Sequence, residues 1–365
     1  MKTIRVELGD RGYDILIGTG ILDVSIDALK NVLKSARVVV ITDSNVSPLY
    51  EKKILELLTD IGTEITVFEI DHGERSKNID VVMGLCRSFA GISLDRKAAV
   101  IAMGGGVVGD IAGFAASIYM RGIEFIQIPT TLLSACDSSV GGKVGINLDK
   151  AKNLIGAFHQ PGLVIIDPEF LSTLPRREMI SGMGEVVKTG LISSRILFDK
   201  INKNMKNILP LDDPELVTDV IYDCISFKAD VVQNDEKESG LRRILNFGHT
   251  VGHGVEAVLQ KKGLLHGEGV IFGMLCAVYL SRTRNMINEH LFAEIRDCLL
   301  SLDLPEYVGK PDFDEVISFI RKDKKIIDNK INFVLLEDLG KPVICDDVND
   351  SEIKDSFDYV KKLYQ

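Results

Sequence analysis

The stretch Ala98-Ala99-Val100-Ile101-Ala102-Met103-Gly104-Gly105-Gly106-Val107-Val108-Gly109-Asp110 passes from a short apolar run directly into a cluster of glycines, and Ile111–Met120 continues it with small and apolar residues. Strand, glycine turn and helix start therefore follow in order. Glycines let the backbone approach a phosphate, and a helix N-terminus offers unpaired N–H groups and a favourable dipole. Gly104, Gly106 and Gly109 also satisfy the GxGxxG spacing. That spacing is weak by itself. The strand is not the first of its sheet, and no helical βαβ return with a ribose-binding acid is expected after it.

Outward from this turn the first half alternates strand-like and helix-like segments. RVVVITD (37–43), EITVFEI (64–70), IEFIQIP (123–129) and GLVIID (162–167) are Val- and Ile-rich, and SPLYEKKILELLTDIG (47–62) and SKNIDVVMGLCRSFAGI (76–92) have helical periodicity. The N-terminal MKTIRVELGDRGYDILIG reads as two short strands around a Gly-containing turn. The alternation predicts a mostly parallel, Rossmann-like α/β sheet covered by helices. From about residue 178 to 320 the pattern becomes helical, broken at DDPE, DEKESG and KKGLLHG. An α/β domain over residues 1–176 and a mainly α-helical domain over 177–365 are expected, with the boundary in the loop PEFLSTLPRR and the active site in the interdomain cleft.

Composition narrows the class. A chain of 365 residues exceeds what one core usually serves, and 45% hydrophobic content is ample for burial. The six cysteines, at 86, 136, 224, 276, 298 and 345, show no CxxC spacing, so neither a disulfide framework nor a thiolate zinc site is expected, and a reducing cytoplasm fits. The charged, alternating N-terminus lacks the apolar core of an export signal. GVIFGMLCAVYL (269–280) is too short to span a bilayer. A net charge of −10 argues against general nucleic-acid binding, so an anionic ligand must meet Lys and Arg collected locally.

Three of the six histidines, His249, His253 and His266, fall close together in NFGHTVGHGVEA and LLHGEGV. A spacing of four puts His249 and His253 on one helical face, able to address one ion or one substrate. A pair of hydrogen-bonded helix histidines is the plain alternative, and spacing does not separate His253 from a metal ligand. Asp43, ending RVVVITD, suits a ribose or adenine contact and equally a helix-capping turn. DHGERSKN (71–78) and IPTTLLSACDSSVGGKVGIN (128–147) are further polar segments at strand ends, where open α/β sheets collect ligands. With the glycine turn they predict a dinucleotide site.

GGGVVGDIAGF, QIPTTLL, DSSVGGKVGIN, TLPRREMISGMGEVVKTGL, RRILNFGHTVGH, LLHGEGV and the late KDKK together resemble the ordered motif series of the 3-dehydroquinate synthases, sugar phosphate cyclases of the shikimate pathway, over about residues 38–340. The resemblance implies an N-terminal NAD-binding domain and a C-terminal helical metal domain. Glu185, His249 and His266 would hold Zn²⁺, with Co²⁺ possible in its place, and His253 would be a nearby proton-transfer group. Three protein ligands leave a position open for substrate hydroxyls.

The resemblance further implies that Lys143, Lys152, Asn153, Lys188, Lys228, Arg242, Asn246 and Lys324 form a pocket for a seven-carbon keto sugar acid phosphate. Arg121 is similar to an arginine that reaches the phosphate site of a neighbouring subunit, which implies a homodimer. For NAD the matching positions are Asp43, the loop His72-Gly73-Glu74-Arg75-Ser76-Lys77, the turn Gly106-Val107-Val108-Gly109-Asp110, then Thr130, Thr131, Asp137, Lys143, Lys152 and Phe170-Leu171-Ser172-Thr173. His72 departs from the family pattern, where an acid or small residue more often precedes Gly-Glu. The implied reaction converts 3-deoxy-D-arabino-heptulosonate 7-phosphate to 3-dehydroquinate and phosphate, with NAD unchanged at the end. A sibling cyclase of the 2-deoxy-scyllo-inosose or valiolone type, a polyol or glycerol-phosphate dehydrogenase, and a non-catalytic NAD-binding scaffold are the other readings. Asn246 and His253 favour the first over the siblings. A soluble, cytoplasmic enzyme without nucleic-acid or membrane partners is expected.

Overall fold

The computed structural model describes residues 1–33, 37–149, 151–324 and 331–365, without the side chains of 322–324. The chain forms two compact units, Met1–Leu174 with Pro214–Lys237, and Pro175–Asp213 with Glu238–Gln365.

The first unit opens with β1 (Lys2–Val6) and β2 (Tyr13–Ile17), paired antiparallel from Lys2↔Ile17 to Val6↔Tyr13. It continues through α1 (Ile26–Val32), β3 (Arg37–Asp43), α2 (Ser47–Ile61), β4 (Glu64–Ile70), α3 (Ile79–Gly91), β5 (Ala99–Gly104), α4 (Gly106–Ile118), β6 (Glu124–Pro129), β7 (Lys143–Leu148), β8 (Ala151–Phe158) and β9 (Leu163–Ile166). The seven-stranded sheet has the order β1-β2-β9-β6-β5-β3-β4, and every pair after β1–β2 is parallel. The five strands expected in the parallel sheet are β3, β4, β5, β6 and β9. Helices on both faces explain why β5 and the Val38–Ile41 stretch of β3 are apolar without alternation. Val39, Ile41, Val100 and Ala102 point into one core, and Val38, Val40, Ala99 and Ile101 into the other. The two-residue period of a strand divides them.

One expectation fails in part. β5, α4 and β6 do form a βαβ return, with β6 lying parallel beside β5 from Ala99↔Glu124 to Gly104↔Pro129. The ribose-binding acid is still missing at its end, because β6 runs into Pro129-Thr130. The segment read as a loop at Lys143–Asn147 is also a strand, since β7 and β8 make an antiparallel hairpin apart from the main sheet. Gly145 and Gly156 face each other there, and a Cβ on Gly145 would stand 2.6 Å from the Ile155 carbonyl. The glycines that suggest a loop are what lets these two backbones approach.

The second unit contains α5 (Arg176–Ser193) and α6 (Arg195–Ile208). The chain then returns to the first unit as α7 (Pro214–Asn234), whose apolar face of Val217, Val220, Ile221, Cys224 and Ile225 is buried there. A single boundary between 176 and 177 therefore differs from the packed units at α7. The amphipathic period reveals that α7 is a helix but not which core its stripe faces. Next come α8 (His249–Leu259), α9 (His266–Thr283), α10 (Glu289–Leu300) and α11 (Phe313–Lys324). A hairpin of β10 (Phe333–Asp338) and β11 (Lys341–Cys345) and the last helix α12 (Asp350–Leu363) follow. The hairpin was not anticipated in a helical domain. Its first strand is buried at Phe333–Leu336 and shows no alternation to announce it. α9 is buried nearly all round, which accounts for its apolar composition. No helix among the described residues is long and apolar enough to cross a membrane.

Candidate active site

Three helices of the second unit approach so closely that their backbones touch. A Cβ on Gly252 of α8 would lie 2.8 Å from the Gly269 carbonyl of α9, and one on Gly184 of α5 would lie 2.8 Å from the Gly267 carbonyl. A Cβ on Gly267 would collide with the Ser181 carbonyl, and one on Gly273 with the Gly248 carbonyl, both nearer than real Cβ atoms come. Only glycine fits such contacts. Their effect is to bring Glu185 on α5, His249 and His253 on the first turns of α8, and His266, the first residue of α9, to one point.

Oε1 of Glu185 lies 3.3 Å from Nε2 of His266 and 3.6 Å from Nε2 of His249. A tetrahedral ion with bonds of about 2.0–2.1 Å has ligand-to-ligand edges of about 3.3–3.4 Å, so the Glu185–His266 separation matches such an edge and the Glu185–His249 separation is slightly longer. One ring nitrogen from each of His249, His253 and His266 also falls within 4.8 Å of the others, which makes His253 a geometric competitor for the same ion. Glu185 is fully buried. Among the described residues its two oxygens have no hydrogen bond of regular geometry, although Oε2 is ion-paired with Lys188. A buried carboxylate whose oxygens lack regular hydrogen bonds suits a cation that can replace the His266 proton beside it.

Electrostatics sets the proton states. Burial, then the Lys188 charge, holds His249 well below the usual imidazole range, so its nitrogen lone pair is available. For His266 burial works downward, but the Glu256 carboxylate, hydrogen-bonded to the ring, and the nearby Glu185 carboxylate outweigh it and push the value up to about 10. Burial works upward on Glu185 and is overcome by Lys188, His249 and His266, which keep it ionised well below the carboxylate range. The ionised Glu185 and neutral His249 are thus ready to bind a divalent metal, whereas His266 must first give up a proton.

The first unit gathers the remaining polar positions. α4 starts at Gly106 with Gly105 extended before it. Beside this turn the hydroxyl oxygens of Thr130 and Ser138 are buried with no hydrogen-bond partner among the described residues. A Cβ on Gly106 would come 2.9 Å from Ser138 Oγ, so the turn is a bare cradle edged by hydroxyls. Val107, Val108 and Gly109 form the rest of the first helical turn. Lys77 pairs with Asp110 and donates to Asn153 Oδ1 at 2.5 Å. Lys152 stands 3.7 Å from Glu74. Lys228, on α7, donates to the Asp137 carbonyl at 2.5 Å and pairs with its carboxylate at 2.9 Å. Asp137 lies in a π-helical turn, Ser134–Ser138, a form common at functional sites. Thr131 shares a 2.8 Å hydrogen bond with Ser134.

Other expected positions have plainer surroundings. Asp43 Oδ1 accepts the N–H groups of Asn45 and Val46 at 2.9 and 3.1 Å, the capping-turn role. Ser44, which sequence reading passed over, holds His72 Nδ1 at 2.9 Å. Gly73 has φ +89, and Arg75 and Ser76 complete the short 3₁₀ turn that starts at Glu74. Phe170, Leu171, Ser172 and Thr173 form a 3₁₀ turn in which Phe170 packs edge-on against Tyr50 at 4.7 Å, and Tyr50 Oη meets Thr173 Oγ1 at 2.7 Å. Arg242 is buried and Asn246 donates to Glu238 at 2.7 Å, both on the 3₁₀ turn just before α8. Lys143 and Arg121 are exposed, Arg121 with φ +69. Lys324 ends α11 and its side chain lies outside the described residues.

Two carboxylates beside the histidines, Glu256 and the Glu268 that follows His266 in LLHGEGV, have no role among the expected site residues. Oε2 of the buried Glu256 lies 3.2 Å from His266 Nδ1. Glu268, fully buried, accepts the Leu265 N–H at 2.8 Å and receives Arg177 at 2.6 and 2.7 Å, which fixes the first turn of α9. His249, His253 and Glu256 stand at i, i+4 and i+7, a spacing that could have exposed Glu256 as a member of the same helical face.

The sequence pattern of the N-terminal part of 3-dehydroquinate synthases matches residues 67–181, and that of the C-terminal part matches residues 182–326. The 3-dehydroquinate synthase of Desulforamulus reducens is 43% identical over 357 residues, 97% of this chain and 98% of the relative. Among solved structures, 2-epi-5-epi-valiolone synthase from Streptomyces hygroscopicus with NAD⁺ and Zn²⁺ bound superimposes with a TM-score of 0.89 at 29% identity, over 98% of both chains. A 2-deoxy-scyllo-inosose synthase complexed with carbaglucose-6-phosphate, NAD⁺ and Co²⁺ has a TM-score of 0.88 at 28% identity, over 98% of this chain and 100% of the other. With both halves matched and near-complete coverage at high identity, the chain belongs to the 3-dehydroquinate synthase family.

Proposed function

We propose that this chain converts 3-deoxy-D-arabino-heptulosonate 7-phosphate to 3-dehydroquinate and inorganic phosphate, as a metal- and NAD-dependent carbon–oxygen lyase. The observation that carries the reading is the convergence of His249 and His266 on the buried Glu185, whose Oε1 lies 3.6 and 3.3 Å from their Nε2 atoms, in a chain that also keeps a hydroxyl-edged glycine cradle at the start of α4. Substrate and product differ by lost phosphate and a closed carbocycle, with no net oxidation. When bound, NAD⁺ supplies a temporary hydride acceptor, and Zn²⁺ or Co²⁺ supplies charge to polarise a substrate hydroxyl.

The protein's own residues then align and neutralise. Glu185, His249 and His266 are the metal ligands. His253 stands beside them, its ring centroid 5.1 Å from that of His249 and 5.6 Å from that of His266, as the group that passes a proton to or from the substrate. Lys143, Lys152, Lys188, Lys228, Arg242 and Lys324 meet the substrate's carboxylate and phosphate, with Asn153 and Asn246 fixing hydroxyls. Cations held in place before the anion arrives stabilise developing charge without reorganising. Asp43, His72–Lys77, Gly106–Asp110, Thr130, Thr131, Asp137, Lys143, Lys152 and Phe170–Thr173 contact NAD.

The enzyme acts as a homodimer in the cytoplasm. Leu154 and Phe158, four apart and so on one face of β8, are 47% and 45% exposed, and Ile118, Met120 and Leu148 are exposed as well. Such apolar exposure suits a partner copy, and Arg121 follows directly after Met120. The six cysteines are free thiols, as a reducing compartment requires.

The test is to give metal-replete protein the keto sugar acid phosphate with a substoichiometric amount of NAD⁺. Phosphate and 3-dehydroquinate should appear in equal yield without accumulating NADH. NADH formed in step with substrate consumed would make the protein a net dehydrogenase and refute the reading.

A further inference from the structure

Asn147 is absent from the positions that the family resemblance implies, yet two other pieces of the first unit, the β8 bulge and the loop of Glu74 and Lys77, meet on it. It stands at an irregularity in the β7–β8 hairpin, where the pairing passes from Ile146↔Ile155 to Leu148↔Ala151. The residues opposite, including Lys152 and Asn153, are thereby bulged. Bulges re-aim side chains and recur beside active sites. Asn153 is held at φ +51, a left-handed conformation that Asn tolerates better than most residues but that still needs support.

The support is one side chain used at both ends. Oδ1 of Asn147 accepts the Asn153 N–H at 2.9 Å, and its Nδ2 donates to Glu74 Oε1 at 2.8 Å. Its backbone N–H donates to the Lys77 carbonyl at 2.9 Å. The amide has only one orientation that satisfies both side-chain contacts, since the reverse would set oxygen against a carboxylate and NH₂ against an N–H. A carboxylate at this position would repel Glu74.

We propose that Asn147 is a positioning residue of the dinucleotide and substrate site. It clamps the bulge carrying Lys152 and Asn153 to the loop carrying Glu74 and Lys77, so that these four side chains stand in place before the ligands arrive. The inference rests on the NAD reading above and adds to it a residue that touches neither ligand.

The experiment is calorimetric titration of NAD⁺ into the metal-replete wild type, Asn147→Ala, Asn147→Asp, Glu74→Gln and the Glu74→Gln/Asn147→Asp double variant. Steady-state kinetics, zinc affinity and thermal midpoint are measured on each. Asn147→Ala should weaken NAD⁺ binding by roughly tenfold or more, the loss expected of a hydrogen bond to a charged group, and should raise KM for the sugar phosphate. Zinc affinity and thermal midpoint should stay near wild type. Asn147→Asp should be worse, and the double variant should recover part of the loss because the amide introduced at position 74 then donates to the carboxylate introduced at position 147. Wild-type NAD⁺ and substrate affinity in Asn147→Ala would overturn the proposal. So would a midpoint and zinc affinity that fall together with NAD⁺ binding, or a double variant no better than Asn147→Asp. Wild-type protein that takes up no NAD⁺ would instead remove the dinucleotide reading, and the proposal with it.

Discussion

Nδ1 of His266 stands 3.2 Å from Oε2 of Glu256, on the side of the ring away from Nε2, the nitrogen that faces Glu185. A buried carboxylate there fixes which nitrogen carries the proton and turns the other toward the ion. Glu256→Gln should lower zinc affinity about 10–100-fold, the usual cost of losing such an outer partner. Competition with a chromophoric chelator measures it, and an unchanged affinity would show that Glu256 does not orient the ligand.

The same pair predicts a proton count. Without metal His266 titrates at about 10 and so carries a proton at pH 7, whereas His249 is held low and is already neutral, and Glu185 is already ionised. Zinc loading at pH 7 should therefore release about one proton, all of it from His266. Affinity should fall as pH is lowered, because protons then compete for the ligands. Calorimetry in buffers of different ionisation enthalpy reads the number, and a release near zero would contradict these proton states.

Packing of α8 on α9 is predicted to be intolerant of a single methyl group. A Cβ at Gly273 would overlap the Gly248 carbonyl, backbone that cannot rotate away. Gly273→Ala should cost about 1–3 kcal/mol or more, as overpacking does, and should weaken zinc binding in proportion because His249 follows Gly248 directly. Thermal unfolding with and without zinc tests both halves of this expectation.

Lys228→Met removes the charge that lies 2.9 Å from the Asp137 carboxylate and 2.5 Å from its carbonyl. If Lys228 meets the substrate anion as proposed, losing that charged hydrogen bond, worth about 1.5–3 kcal/mol, should raise KM for the sugar phosphate about 10–100-fold. Zinc affinity should be unchanged, since Lys228 belongs to the other unit. Initial-rate kinetics beside the chelator assay separates the two.

Much of this was legible before any coordinates. Val- and Ile-rich runs marked β3, β4, β5, β6 and β9; the inner ones, such as β5, are apolar because helices cover both faces, and the edge strand β4 keeps its branched residues but is only half-buried. The hairpins β7–β8 and β10–β11 were not, since one is interrupted by glycines and the other lacks alternation at its buried Phe333–Leu336. α7 was legible as a helix but not in its allegiance, which depends on which core its apolar stripe meets. His249, His253 and His266 announce themselves by spacing, whereas Glu185 looks like any helix carboxylate until its complete burial is seen. Glu256 and Asn147 act through other side chains, and such partners leave little mark on a single sequence.

The central claim is that Glu185, His249 and His266 share one ion while His253 stays off it. Anomalous diffraction at the zinc edge from zinc-loaded crystals tests this directly. The expected result is a single peak about 2.0–2.2 Å from a Glu185 oxygen and from the Nε2 atoms of His249 and His266. A peak centred on the three imidazoles with Glu185 detached, or no peak at these helices, would contradict it.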